Sequence, residues 1–221
     1  MLLNADFSRR ALVLPDQQKW VASPQGGVER IMLDRVGAEK ARATSIVRYA
    51  PDSFFPQHSH PGGEEVLVLS GTFSEDNDDY PAGWYMRNPP GSSHQPSSLE
   101  GAVIFVKLWQ MRPTEQSFVR VNTNDPASWQ QCADRAQCPL FSDGIESVWL
   151  LRLDAGAVLL PAEIEGAEAL VLKGELAEGA QMYLENTWLR LPAGRYPNIV
   201  AGPKGATVYL KTGPHLVTLP T

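Results

Sequence analysis

Residues 58–71 read HSHPGGEEVLVLSG, and residues 83–94 read GWYMRNPPGSSH. The first stretch is His-x-His-x3-Glu followed by an apolar run into Gly71. The second is Gly-x5-Pro-Pro-Gly-x2-His. In a strand, residues i and i+2 face the same side, so His58 and His60 project together. Gly62 and Gly63 permit a turn, and Glu64 then opens the next strand. The 88-NPPGSSH-94 segment reads as a tight turn that returns His94 from a neighbouring strand to the same place. Three imidazoles and one carboxylate are a ligand set for a transition metal. The chain has four histidines, and three of them fall in this pattern.

The composition around this pattern is that of a foldable domain. The 221 residues suffice for one large or two small domains, and 43% are apolar, enough for a core. A net charge of −6 and a pI near 5.2 argue against nucleic acid or an anionic membrane as a direct partner. The opening MLLNADFSRR has no apolar core of signal-peptide length, and no apolar run reaches membrane-spanning length, so a cytoplasmic protein is expected. Cys132 and Cys138 lack Cys-x2-Cys spacing and have no neighbouring histidine. They read as ordinary thiols of a reducing compartment. The acidic run 75-EDNDD-79 reads as a solvated hairpin loop.

The chain is written twice. PQHSHPGGEEVLVLSGTF from Pro56 lies over PAEIEGAEALVLKGEL from Pro161, with Glu65 on Glu168 and Gly71 on Gly174. Further on, 84-WYMRNPPGSSHQ-95 lies over 187-TWLRLPAGRYPN-198, and 100-EGAVIFVKL-108 over 204-KGATVYLKT-212. The halves are residues 1–112 and 113–221. Short β-rich runs between Gly, Pro, Asn and Asp predict an all-β protein. The best helix candidate is 126–135, with Asp125 as N-cap and Pro126 at the first helical position. The second half has lost the ligands. His58 maps to Glu163, His60 to Glu165, Glu64 to Ala167 and His94 to Pro197, which predicts one metal per chain. Glu163, Glu165 and Glu168 read as solvated strand charges.

These residues resemble the cupin superfamily, and the whole chain is similar to a bicupin, that is, two tandem cupin barrels of the double-stranded β-helix or jelly-roll type. The residue six before the first His, usually Gly in the first cupin motif, is Asp52 here. Residues 47–94 resemble the cupin domain of ChrR-type anti-sigma factors. That resemblance implies His58, His60, Glu64 and His94 as ligands, zinc as the metal, and a sensory or regulatory protein of the oxidative-stress transcriptional response with a protein partner. The chain lacks the histidine and Cys-x2-Cys hallmark of the N-terminal anti-sigma domain of that family. The same segment is similar to dihydroxyacetophenone-type dioxygenases, which implies non-haem iron and a small aromatic ketone or diketone as substrate. The ligand set itself also accepts manganese, nickel or copper. Arg87, Tyr85 and Phe73, with Trp84 and Phe54, are the candidates for lining a small-molecule pocket. Glu65 should point away from the metal by strand alternation. A homodimer through exposed sheet edges is a further expectation.

Overall fold

A computed structural model describes residues 1–38 and 40–215. The protein is all-β, as the short β-rich runs predict. The described residues contain strands and two single-turn 3-10 helices, Pro15–Gln17 and Pro126–Ser128. No helix among them is long and apolar enough to cross a membrane. Two compact units form. One comprises Met1–Ala5 and Lys19–Asn124, the other Asp6–Gln18 and Asp125–His215.

In the first unit, strands run in the order Val28–Gly37, Ala41–Tyr49, Ala102–Leu108, Glu64–Glu75, Trp84–Asn88 and Val119–Asn122, each antiparallel to the next. Alternation sends Val66, Val68, Met86, Ile104 and Val106 into one core with Val28, Tyr49 and Phe73. A fully buried valine such as Val66 contributes about 1.5–3 kcal/mol by leaving water.

The second unit repeats this order with Arg135–Ser142, Ser147–Leu153, Ile199–Thr212, Ile164–Glu178 and Trp188–Gly194. Its remaining edge is the Ala11–Val13 strand, paired to Trp188–Gly194. Its core gathers Leu151, Val171, Leu176, Leu189, Ile199 and Val208. The helix expected over 126–135 is reduced to one 3-10 turn. Asp125 does cap it, accepting a hydrogen bond of 2.9 Å from the Ala127 amide. The chain then enters the Gln130–Cys132 strand, whose ladder to Arg135–Ser142 outweighs the local helical preference.

The repeat is visible in register. Gly71 stands opposite Ala102 in the first unit, and Gly174 opposite Ala206 in the second. Both glycines have positive φ, +68° and +75°. A Cβ on Gly71 would overlap the Gly101 carbonyl oxygen, and one on Gly174 the Gly205 carbonyl oxygen. Gly71→Ala is therefore expected to lower stability by about 1–3 kcal/mol, read from the midpoint of urea unfolding. A midpoint unchanged from wild type would refute the strain argument.

Candidate metal centre

The histidine segment folds as the alternation requires. His58–His60 is a short strand, antiparallel to Ser92–His94, with His94 directly opposite His58 and Ser92 opposite His60. The turn between His60 and Glu64 closes through a hydrogen bond of 3.0 Å from the Gly63 amide to the His60 carbonyl oxygen, with Gly63 at φ +75°. Gly62 has no side chain because Trp109 lies where its Cβ would be. Pro89, Pro90 and Gly91 turn the chain back so that His94 faces the same point.

One ring nitrogen from each of His58, His60 and His94 lies within 4.8 Å of the others. The His60 and His94 Nε2 atoms are 2.9 Å apart, and the Glu64 Oε2 is 3.5 Å from each. His60, Glu64 and His94 are buried, and His58 is half-buried. Two ligands at right angles on an ion with bonds of about 2.1 Å stand about 3 Å apart. The donors thus have the spacing and chemistry that a transition metal requires. The described residues contain no other such group of three.

A second layer of hydrogen bonds orients these groups. The His94 Nδ1 is 2.6 Å from a Glu75 carboxylate oxygen, so Nδ1 carries the proton and Nε2 keeps a lone pair facing the centre. Arg120 donates to Glu75, and to Asn88 Oδ1 at 2.7 Å. The Asn88 amide donates to Glu64 at 3.2 Å and to Glu75 at 3.3 Å. The His58 Nδ1 lies 2.9 Å from the Pro56 carbonyl oxygen, which leaves its Nε2 available. Burial opposes a charged His94. Its hydrogen bond to Glu75 and the charges of Glu64, Glu75 and Asp76 overcome this and raise its pKa above the usual value. Burial, helped by the neighbouring His94 and His58, lowers the pKa of His60 although Glu64 opposes the shift. Glu75 is held below the usual carboxylate value: burial raises it, but the bonds from His94 and Asn88 and the Arg120 charge prevail.

Glu75 belongs to the run that reads as a solvated loop, yet it is buried. Eleven residues separate it from Glu64, an odd number that simple alternation sends to opposite faces. A bulge opposite Val103 and Ile104 shifts the parity between Val68 and Ser70, so Glu64, Phe73 and Glu75 all face inward. Arg120 has no sequence signal at all.

A cavity of about 750 Å³ adjoins the centre, with His58, His60 and Glu64 in its wall beside Tyr49, Phe55 and Trp109. Phe73, Tyr85 and Arg87 are not among the described residues that line it. Phe73 packs in the core edge-on to Tyr49, its ring centroid 6.3 Å from that of His94. Tyr85 is buried in the same strand as Arg87. Arg87 donates to Glu65 at 2.9 Å and to Glu115 at 2.5 and 2.8 Å. Glu65 is thus held by an arginine, away from the imidazoles. In the second unit Glu168 accepts from the Trp188 indole at 2.7 Å, and exposed Glu163 lies 3.4 Å from Arg195.

Residues 8–112 match the family model of the ChrR Cupin-like domain. No curated protein matches the chain. Among solved structures, a provisionally assigned dioxygenase from Nostoc punctiforme is 15% identical and has a TM-score of 0.73. The match covers 97% of this chain and 86% of that one. The pirin YhhW of Escherichia coli, solved in complex with nickel(II), is 13% identical over 94% of this chain and 100% of its own, with a TM-score of 0.70. Likenesses at this identity speak to the fold alone.

Proposed function

We propose that this chain, a member of the cupin superfamily, is a bicupin that holds one divalent transition metal at His58, His60, Glu64 and His94. In this proposal the metal serves to bind and transform a small organic molecule. The observation that carries the reading is the cavity of about 750 Å³ with three of the four donors in its wall. A volume of that size accommodates a drug-sized molecule. A site serving only to hold the fold together would need no such space.

A bound divalent ion would supply Lewis acidity, and iron or manganese would add redox chemistry. The protein's own groups do the rest. Glu75 keeps a proton on His94 Nδ1, and Asn88 restrains the Glu64 carboxylate. Tyr49, Phe55 and Trp109 give the cavity an aromatic wall that displaces water around a bound molecule. The dioxygenase reading, with iron and an aromatic ketone or diketone, is the most specific version of this proposal. The second reading is a zinc-holding sensor that acts on a protein partner. It is favoured by the match of residues 8–112 to the ChrR Cupin-like domain.

Elemental mass spectrometry of protein purified anaerobically is the first test. About one iron per chain, with oxygen uptake on adding an aromatic ketone or diketone, is the expected result. About one zinc per chain, with no oxygen uptake and a conformational change on chelation, would favour the sensor. A protein that holds no stoichiometric metal would overturn both.

A further inference from the structure

A buried tyrosine hydroxyl usually finds a hydrogen-bond partner, because taking it from water without one is costly. Three tyrosines of this chain follow that rule. The Tyr183 hydroxyl donates to Glu178 at 2.6 Å, the Tyr196 hydroxyl donates to the Pro192 carbonyl oxygen at 3.0 Å, and the Tyr80 hydroxyl accepts from Arg120 at 3.1 Å. Tyr49 departs from it. It is only 7% exposed, yet its hydroxyl makes no hydrogen bond to any described residue. Burial, and then the charge of Glu64, push its pKa up. The phenol therefore keeps its proton, as tyrosine ordinarily does at neutral pH, and has it to donate.

The strand places this donor. Tyr49 ends the Ala41–Tyr49 strand two residues after Val47, and alternation brings both onto the wall of the cavity of about 750 Å³. Its ring stands edge-on to Phe73 with centroids 5.7 Å apart, and the Phe73 ring lies 6.3 Å from that of His94. Glu64, whose charge the phenol feels, belongs to the same wall. Ile104, opposite Val47 in the sheet, continues the apolar surface beside it. A small-molecule site fixes orientation in this way, with few polar groups set in an apolar lining.

We infer that Tyr49 selects the molecule this cavity takes: its hydroxyl donates a hydrogen bond to a carbonyl oxygen on a compact, mainly apolar ligand, and that oxygen lies between Tyr49 and the metal-binding side chains. The inference rests on the proposed function and deepens it, naming the residue that recognises the ligand and the group it recognises. A carbonyl oxygen has two lone pairs, so it can accept from Tyr49 and still face a metal. An analogue without the acceptor would leave the hydroxyl buried without a partner, and the site would discriminate against it.

The test is calorimetric titration of the full chain, in zinc-loaded and metal-free forms, with acetophenone and with α-methylstyrene. The second probe has nearly the shape of the first but carries a methylene group in place of the carbonyl oxygen. Tyr49→Phe removes the hydroxyl and keeps the ring. Acetophenone is expected to bind the variant about 3–10 times more weakly than wild type, and α-methylstyrene to bind both proteins within about twofold. The thermal midpoint of the ligand-free variant should equal or exceed that of wild type, because the hydroxyl it loses has no partner in the fold. Tyr49 is not among the proposed metal ligands, so the effect on acetophenone should persist in metal-free protein. A chain that holds no zinc yet shows this effect would sink the metal reading and leave the Tyr49 inference standing. Stoichiometric zinc without the effect would do the reverse. Unchanged acetophenone affinity in Tyr49→Phe, an equal loss for both probes, a lowered thermal midpoint, or no saturation of wild type by acetophenone below about 10 mM would overturn the inference.

Discussion

His94→Ala is expected to weaken metal binding by at least about a hundredfold, since even the outer partners of metal-bound histidines are worth 10–100-fold. The Nε2 of His94 is 2.9 Å from that of His60 and 3.5 Å from the Glu64 carboxylate, so its removal opens one side of the donor set. The remaining donors come from the single 58–64 segment, which encloses an ion on one side only. Stability should follow. A ligand present at about 100 times its dissociation constant adds about 2.7 kcal/mol to a folded protein, and the variant would forfeit that gain. Thermal unfolding with and without added metal reads both effects together: wild type should gain stability on metal addition, and the variant should not. A His94→Ala protein that keeps about one ion per chain by elemental analysis would show that His94 is no ligand.

The parts of this site that could be read in advance are those governed by local rules. His58 and His60 share a face because strands alternate, and Gly63 turns the chain because its φ is positive. Pro89, Pro90 and Gly91 announce the return of His94. Glu65 is recognisable as lying off the site because it alternates with Glu64, and the structure puts it on Arg87. What escapes such reading depends on non-local geometry. Glu75 faces His94 only because a bulge changes the parity of its strand, and the run around it has the composition of an exposed loop. Arg120 reaches Glu75 from the Val119–Asn122 strand, beyond the residue 112 boundary that the repeat suggests. Arg87 sits beside the second motif and attracts notice, yet it meets Glu65 and Glu115. The repeat itself is legible because glycine is needed where Gly71 and Gly174 meet a carbonyl, whatever the fate of the ligands.

Glu75→Gln is the sharper probe of the centre, because it changes charge with little change of shape. The glutamine carbonyl oxygen can still accept the His94 Nδ1 proton, but the negative charge that makes the imidazole a better donor is gone. Metal affinity is expected to fall about 10–100-fold, read by competition with a chelator of known strength. The substitution also leaves Arg120 without its carboxylate, and part of the loss will come from a weaker hold on Asn88 and through it on Glu64. Glu65→Gln separates these contributions from general destabilisation. Glu65 is equally buried, also paired with an arginine, and adjacent in sequence to Glu64, yet strand alternation turns it away from the imidazoles and onto Arg87. It should cost folding stability while leaving metal affinity within about threefold of wild type. If both variants lose affinity to the same degree, the Glu75–His94 bond would be a feature of packing. If Glu75→Gln alone loses it, the carboxylate buried in an apparently solvated acidic run tunes the metal ligand it touches.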